Sequence, residues 1–385
     1  MGSIERTPAG TWKARYRDPQ GNSRRQTFTR KREAEAFLQG AGVEMRRGDW
    51  VDPQLGKTTV ARWVDEWWTT AVHLRESTRA RYERDLRLHI LPRFGALALA
   101  EITPRDIRAW LAEMVAADVG PSGANRRFRV LRRVMNSAVE NELLTKSPCR
   151  GVKAPVVPRQ EIRFLSAVEV RDLAEAMHPW FRSWVYFAAY TGVRWGEMLG
   201  LRRRDFDLAR RTVRIEQQLN EVNSKFVGFG PPKTAAGRRS ITLPASLVGM
   251  MREQLEDRAQ PGPDGLVFVN TAGNSPHASS FSGQVWSQAR TRADMRDLRW
   301  HDLRHTAVAL AIEQGAHAKA IQERMGHSSV GVTLDRYGHL LPSIGERLAD
   351  GLDATLRSAS EAPRPMASVT DIKDPAIRQR ADGSR

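Results

Sequence analysis

The 385-residue, 43.4 kDa chain is larger than one hydrophobic core usually organises, so a single small module is excluded and two or three domains are expected. Hydrophobic residues at 41% and charged residues at 27% exclude a wholly disordered or fibrous protein, while 61 Lys and Arg against 44 Asp and Glu leave +17 and favour polyanionic partners, nucleic acid ahead of an anionic membrane surface. No run approaches the roughly eighteen apolar residues of a spanning helix, mean hydropathy is −0.51, and the Met1-Gly2-Ser3-Ile4-Glu5-Arg6 start lacks the apolar core of a signal peptide, so a cytoplasmic protein is expected.

Residues 1–52 open with a strand near Ser3 to Arg6 and the alternating segments Thr11–Arg17 and Ser23–Phe28, separated by Asp18-Pro19-Gln20-Gly21-Asn22. Alternation around a turn cluster predicts a hairpin, and Ala34, Phe37 and Leu38 give the following helix a face to cover it, a β-β-β-α unit. Arg15, Tyr16, Arg17, Arg24 and Arg25 interleave basic and aromatic side chains on these strands, as a DNA-binding β-ribbon does. Residues 58–147 switch to helical periodicity. Trp63, Trp67 and Trp68 share a face and read as core; Ser77 or Thr78 is a candidate cap, Thr103-Pro104 opens the next helix, and Ser122 precedes a helix carrying Arg126, Arg127, Arg129, Arg132 and Arg133, candidates for phosphate contact. Three prolines in 148–160 mark a linker, beside which the single cysteine, Cys149, reads as a tolerated residue; one cysteine excludes an internal disulfide and a multi-thiolate zinc site.

A third domain over 161–357 starts with a capping box, Ser166-x-x-Glu169, followed by helices to about Leu201, strands at Arg211–Gln217, Lys225–Phe229 and Arg239–Leu243, and further helices; 358–385 reads as a mobile tail. Its polar residues concentrate in Tyr190-Thr191-Gly192-Val193-Arg194-Trp195-Gly196-Glu197, Pro232-Lys233-Thr234, His301-Asp302-Leu303-Arg304-His305, and Gly326-His327 followed by Tyr337-Gly338-His339. No metal or nucleotide cofactor is expected: His301 and His305 have helical zinc-ligand spacing but Asp302 stands between them and no third ligand is evident, and no GxxxxGK[ST] loop occurs.

The order of these segments resembles the tyrosine recombinases of the phage integrase family over nearly the whole chain. The resemblance implies a multidomain, mainly α protein: an arm-type DNA-binding domain, an all-α SAM-like core-binding domain, and an α+β catalytic domain. It implies a catalytic set of Arg194, Lys233, His301, Arg304, His327 and the nucleophile Tyr337, with Glu197 orienting its neighbours. Lys225 competes with Lys233, but Pro-Lys-Thr ahead of the strand at Arg239 matches better; His305 reads as a supporting or core residue, Trp300 as packing, His339 as a helix-end partner, and Tyr190, the rival nucleophile, as core. A phenol with an unperturbed pKa of about 10 needs neighbouring cations to react. Arginine forks suit the nonbridging phosphate oxygens. Attack would give a 3′-phosphotyrosyl enzyme and a free 5′ hydroxyl whose return rejoins the strand without ATP. The implied partners are double-stranded attachment-site DNA, a homotetramer on it, and an excision factor and host DNA-bending protein as accessories. Leu348, Leu352 and Leu356 make the Ile344–Leu356 segment the candidate for exchange between protomers. A type IB topoisomerase and a non-catalytic DNA-binding regulator are the alternatives.

Overall fold

A computed structural model describes residues 2–47, 50–52, 54–158, 162–340 and 344–361; the expected tail lies almost wholly outside these. Among the described residues no helix is long and apolar enough to cross a membrane.

The N-terminal unit is an antiparallel sheet, β1 (Ser3–Arg6), β2 (Trp12–Arg17) and β3 (Ser23–Phe28), covered by α1 (Lys31–Arg47). The pleat sends Ala14 and Tyr16 inward, where the Tyr16 ring meets Phe37 and Trp50 at 5.5 and 6.2 Å. This corrects the strand expectation at two positions. Tyr16 is core, and Arg24, paired with it across the ladder, donates to Asp18 and reaches Asp52, each at 2.9 Å. Arg15, Arg17 and Arg25 occupy the opposite, exposed face, with Arg15 and Arg25 directly opposed.

The second unit is helical: α2 (Val60–Thr70), α3 (Glu76–Asp85) running through a π turn at Leu86–Ile90 into α4 (Leu91–Phe94), α5 (Pro104–Ala116) and α6 (Pro121–Glu140). Thr103 caps α5 with Pro104 in its first turn, as expected. Two starts differ from expectation. Arg75 precedes α3 and its carbonyl accepts from Thr78, so Ser77 and Thr78 are already helical; Gly120-Pro121 opens α6, leaving Ser122 inside it. Trp63 and Trp67 are buried, and the Trp63 indole donates to Val134 O at 3.1 Å. The core continues past α6 through Leu144, Cys149 and Val152, so the first residues of the expected linker pack with the helices. Burial pushes the Cys149 thiol up to about 11, which makes it an inert core residue.

The third unit begins with α7 (Ala167–Ala176), capped by Ser166 and Glu169, then α8 (Arg182–Thr191) and α9 (Trp195–Leu199). A small sheet β4 (Phe206–Asp207), β5 (Thr212–Ile215) and β8 (Arg239–Thr242) is interrupted by a separate hairpin, β6 (Gln218–Val222) and β7 (Lys225–Gly230). Strand β6 was not expected: all five of its residues are half-buried, so no alternation marks it. Helices α10 (Ala245–Asp257), α11 (Ala278–Ser280), α12 (Ser287–Arg292), α13 (Asp302–Glu313), α14 (Ala318–Met325), α15 (Val330–Tyr337) and α16 (Ile344–Glu361) complete it. Trp184, fully buried, meets Phe181, Phe268 and Phe281 at 5.0–5.6 Å and anchors the core beneath α9. The second and third units touch where α3 packs on β6 and where Arg75 Nη2 donates to Lys233 O at 2.6 Å.

Candidate active site

Segments far apart in sequence meet at the junction of α8–α9, α13 and the α14–α15 turn. Helix α8 ends at Gly192, whose φ of +69° favours glycine; a Cβ there would stand 2.4 Å from Met325 Sδ. Arg194 follows at the start of α9 and donates through its backbone N–H and Nη1 to the two oxygens of Glu197 at 3.0 and 2.6 Å. Glu197 is fully buried. Burial alone would raise its pKa, but Arg239 and Arg194 outweigh it and hold the carboxyl below the usual range. Glu197 thus accepts two hydrogen bonds from Arg194.

Arg304, on α13, is 4% exposed and donates to Gly192 O and, at 2.6 Å, to Met325 O. Burial and the neighbouring Arg194 lower its pKa. Its fork thus ties the turn before Arg194 to the turn before His327, which holds the two arginines in one site. His327 is buried and shares a 2.9 Å hydrogen bond between Nδ1 and the Thr333 hydroxyl.

Tyr337 ends α15 at 1% exposure, with its ring parallel to that of His327 at 6.5 Å. Burial pushes the phenol up against the pull of Arg304 and Arg336. Its hydroxyl lies 2.5 Å from His305 Nδ1, not against His301. His305 was read as a supporting or core residue, yet it touches the candidate nucleophile. The one-turn spacing from His301, weighed in the sequence only for metal binding, places both rings on one side of α13, at right angles and 5.1 Å apart. His301 itself sits exposed at the rim, where the surrounding protein and Arg304 lower its pKa.

Lys233 is exposed on the loop between β7 and β8, after the hairpin rather than within it. Lys225 lies on the hairpin beside α3. Tyr190, in contrast to Tyr337, is half-buried in α8 against the main core. Arg239 is the second residue missed. At 5% side-chain exposure it donates to Glu197 Oε2 at 2.9 Å, and the period of β8, which sends Ile241 inward, marked it for the same face.

Both His305 and His327 are lowered to about 4, chiefly by burial, followed by His301 for the first and Arg304 for the second. An unfolded histidine titrates near 6.5, so between about 6.5 and 4 the unfolded chain binds protons that the folded one refuses. Their stabilisation is complete above about 6.5 and is lost as pH falls toward 4. Lowering pH from 7.5 to 5 is expected to remove about 2 kcal/mol per histidine, about 4 kcal/mol in all, more stability from the parent than from a His305→Gln/His327→Gln double variant. Urea titrations at both pH values check this, and equal losses would refute it.

Residues 163–343 match the phage integrase family, 59–115 the phage integrase N-terminal SAM-like domain, and 1–47 the phage integrase N-terminal domain. The prophage phiRv2 integrase of Mycobacterium tuberculosis is 31% identical over 348 residues, covering 88% of this chain and 91% of its own. The chain belongs to the phage integrase family of tyrosine recombinases. The integrase of Mycobacterium phage L5 is 30% identical, covering 85% of this chain and 91% of its own. The recombinase shares its fold with the Tn1549 transposon integrase, solved with transposon right end DNA: TM-score 0.66, 20% identity, 76% of this chain and 100% of that one. Lambda integrase, solved as a tetramer on a Holliday junction, gives 0.56 at 18% identity over 85% and 95%. The recombinase is thus a site-specific enzyme of DNA integration that cleaves and rejoins strands through a 3′-phosphotyrosyl intermediate, and the topoisomerase and regulator readings fall away.

Proposed function

We propose that Tyr337 attacks the scissile phosphate while Arg194 and Arg304 neutralise its nonbridging oxygens. Lys233 protonates the departing 5′ oxygen, His301 assists proton movement at the nucleophile, and His327 donates to a phosphate oxygen. The observation that supports this reading is the convergence of Arg194, Arg304, His327 and Tyr337: Arg304 ties the Gly192 turn before Arg194 to the Met325 turn before His327, and the rings of His327 and Tyr337 lie parallel at 6.5 Å. Catalysis of this kind rests on donors fixed before the charge develops. Trapping of a covalent adduct on a suicide substrate, parent against Tyr337→Phe, tests it.

The duplex is held between the helical unit and the catalytic unit, with arm sites on the first domain. Arg15, Arg17 and Arg25 share the exposed face, where Glu5 pairs with Arg15 at 2.8 Å, and the remaining excess of positive charge supports a polyanion there. On α6, exposed Arg129, Arg132 and Arg133 border a cleft with His73, Tyr82 and Asn136. Arg126 instead donates to the fully buried Asp85 at 3.1 Å, and Arg127 is half-buried against Met114. These two leave the phosphate-contact set. Arg133→Ala is expected to shallow the slope of log K against log[salt] by about 0.9. Arg126→Ala should leave the slope intact and lower the melting temperature; affinities from 50 to 200 mM salt distinguish them, and a slope change confined to Arg126→Ala would reverse the assignment.

Four protomers assemble on paired sites, supported by the tetramer seen for lambda integrase. Helix α16 is the proposed exchanged segment, supported by Leu352 and Leu356, which stay 61% and 67% exposed within the protomer; Leu348 lies in the part whose side chains are not described. Truncation after residue 342 is expected to abolish synapsis while sparing single-site binding in gel shifts, and intact synapsis would sink the exchange. An excision factor and a host DNA-bending protein are proposed accessories, and the cytoplasm the proposed compartment.

A further inference from the structure

We infer that Arg239 is a positioning residue for strand cleavage: it shares the buried Glu197 carboxylate with Arg194, so that Arg194 keeps a net charge for the scissile phosphate. The inference rests on Arg194 being a phosphate clamp.

Each oxygen of Glu197 receives a different guanidinium, Oε1 from Arg194 Nη1 at 2.6 Å and Oε2 from Arg239 Nη2 at 2.9 Å. Two cations on one carboxylate leave a net positive charge beside the reacting group. With Arg239 removed, the buried carboxylate has only Arg194 to pair with, both oxygens turn to it, and the pair becomes neutral. Arg239 is itself fixed on its other sides. Its Nε donates to Arg324 O at 2.8 Å and its Nη1 to Gly237 O at 2.9 Å. Gly237 closes the loop that carries Lys233, and Arg324 stands three residues before His327. Close approach holds the same corner: Gly326, at φ +64°, has no room for a Cβ, which would lie 2.6 Å from Ala236 O and 3.2 Å from Arg239 Cδ. One guanidinium therefore joins the Arg194, Lys233 and His327 segments. Lysine would conserve the charge but could not reach all three acceptors.

The test compares adduct formation by the full chain on two suicide substrates, one with an ordinary scissile phosphodiester and one with an uncharged methylphosphonate there. Arg194→Ala is expected to lose about 100-fold on the charged substrate and under about tenfold on the neutral one, because the charge it meets is gone. Arg239→Met should follow the same pattern, and Arg239→Lys should recover part of the loss on the charged substrate only. A role confined to fold stability would lower both substrates equally, and that result for Arg239→Met, or no loss on the charged one, overturns the inference. If Arg239→Met fails to fold, Glu197→Gln/Arg239→Met removes the stranded charge. With no carboxylate to share, loss of Arg239 should then cost under about tenfold relative to Glu197→Gln alone, and a full 100-fold loss overturns the inference. Equal losses by Arg194→Ala on both substrates would instead strike the clamp reading itself, and the inference with it.

Discussion

Replacing Tyr337 by Phe is expected to abolish the covalent adduct, a loss of about 10⁴-fold or more in cleavage, because no other group at the site can form the phosphotyrosyl bond. The substitution removes one oxygen from a packed ring that is 1% exposed, so the fold should survive. The hydroxyl hydrogen-bonds His305 and also interacts with Arg336, and the loss of one such bond costs about 1 kcal/mol. DNA affinity should be nearly unchanged, and binding by gel shift measured beside adduct by denaturing electrophoresis separates chemistry from recognition. Persistence of the adduct in the variant would move the nucleophile elsewhere, and Tyr190 would be substituted next. The resting position of Tyr337 carries its own consequence. Held against a neutral imidazole and raised by burial, the phenol is not poised as phenolate, so attack awaits the arrival of phosphate beside the two arginines.

Arg304→Lys is the second large effect, expected at about 10²- to 10³-fold in cleavage with binding little changed. A guanidinium has five N–H donors in a rigid fork. Two of them are committed to Gly192 O and Met325 O, which fixes the plane of the fork and leaves the rest to address a phosphate. An ammonium on a flexible stem keeps the charge and loses the plane. Single-turnover cleavage with saturating enzyme checks the prediction, and a variant within about threefold of the parent would show that charge alone suffices. The melting temperature should also fall, since both carbonyls are buried and would be left without their donor.

Much of this was legible in the sequence, for identifiable reasons. The hairpin of the first unit was announced by strict alternation and an Asp-Pro-Gln-Gly-Asn turn, the Thr103 and Ser166 caps by their residue types, and the family by the order of segments that no single motif carried. What sequence hid was direction. Arg24 and Arg25 are neighbours of identical type, yet the pleat sends one to buried Asp18 and the other to solvent. Arg126 and Arg133 share a helix and differ in partner, one facing Asp85 and the other His73. Strand β6 lies half-buried on both sides and has no period to read. His305 and Arg239 were visible only as members of faces, one turn from His301 and one pleat from Ile241, because what they touch comes from distant segments.

The hydrogen bond from Arg75 to the carbonyl of Lys233 adds to the packing of α3 on β6 in joining the second and third units, between which the proposed duplex has to enter. A single exposed hydrogen bond contributes about 1 kcal/mol, which is about a fivefold bias between shut and open forms. This latch alone would lower apparent affinity by only that factor, and the packing of α3 on β6 adds to it. Because the latch grips the backbone of the lysine itself, opening would also remove one restraint on the loop that carries the proposed proton donor.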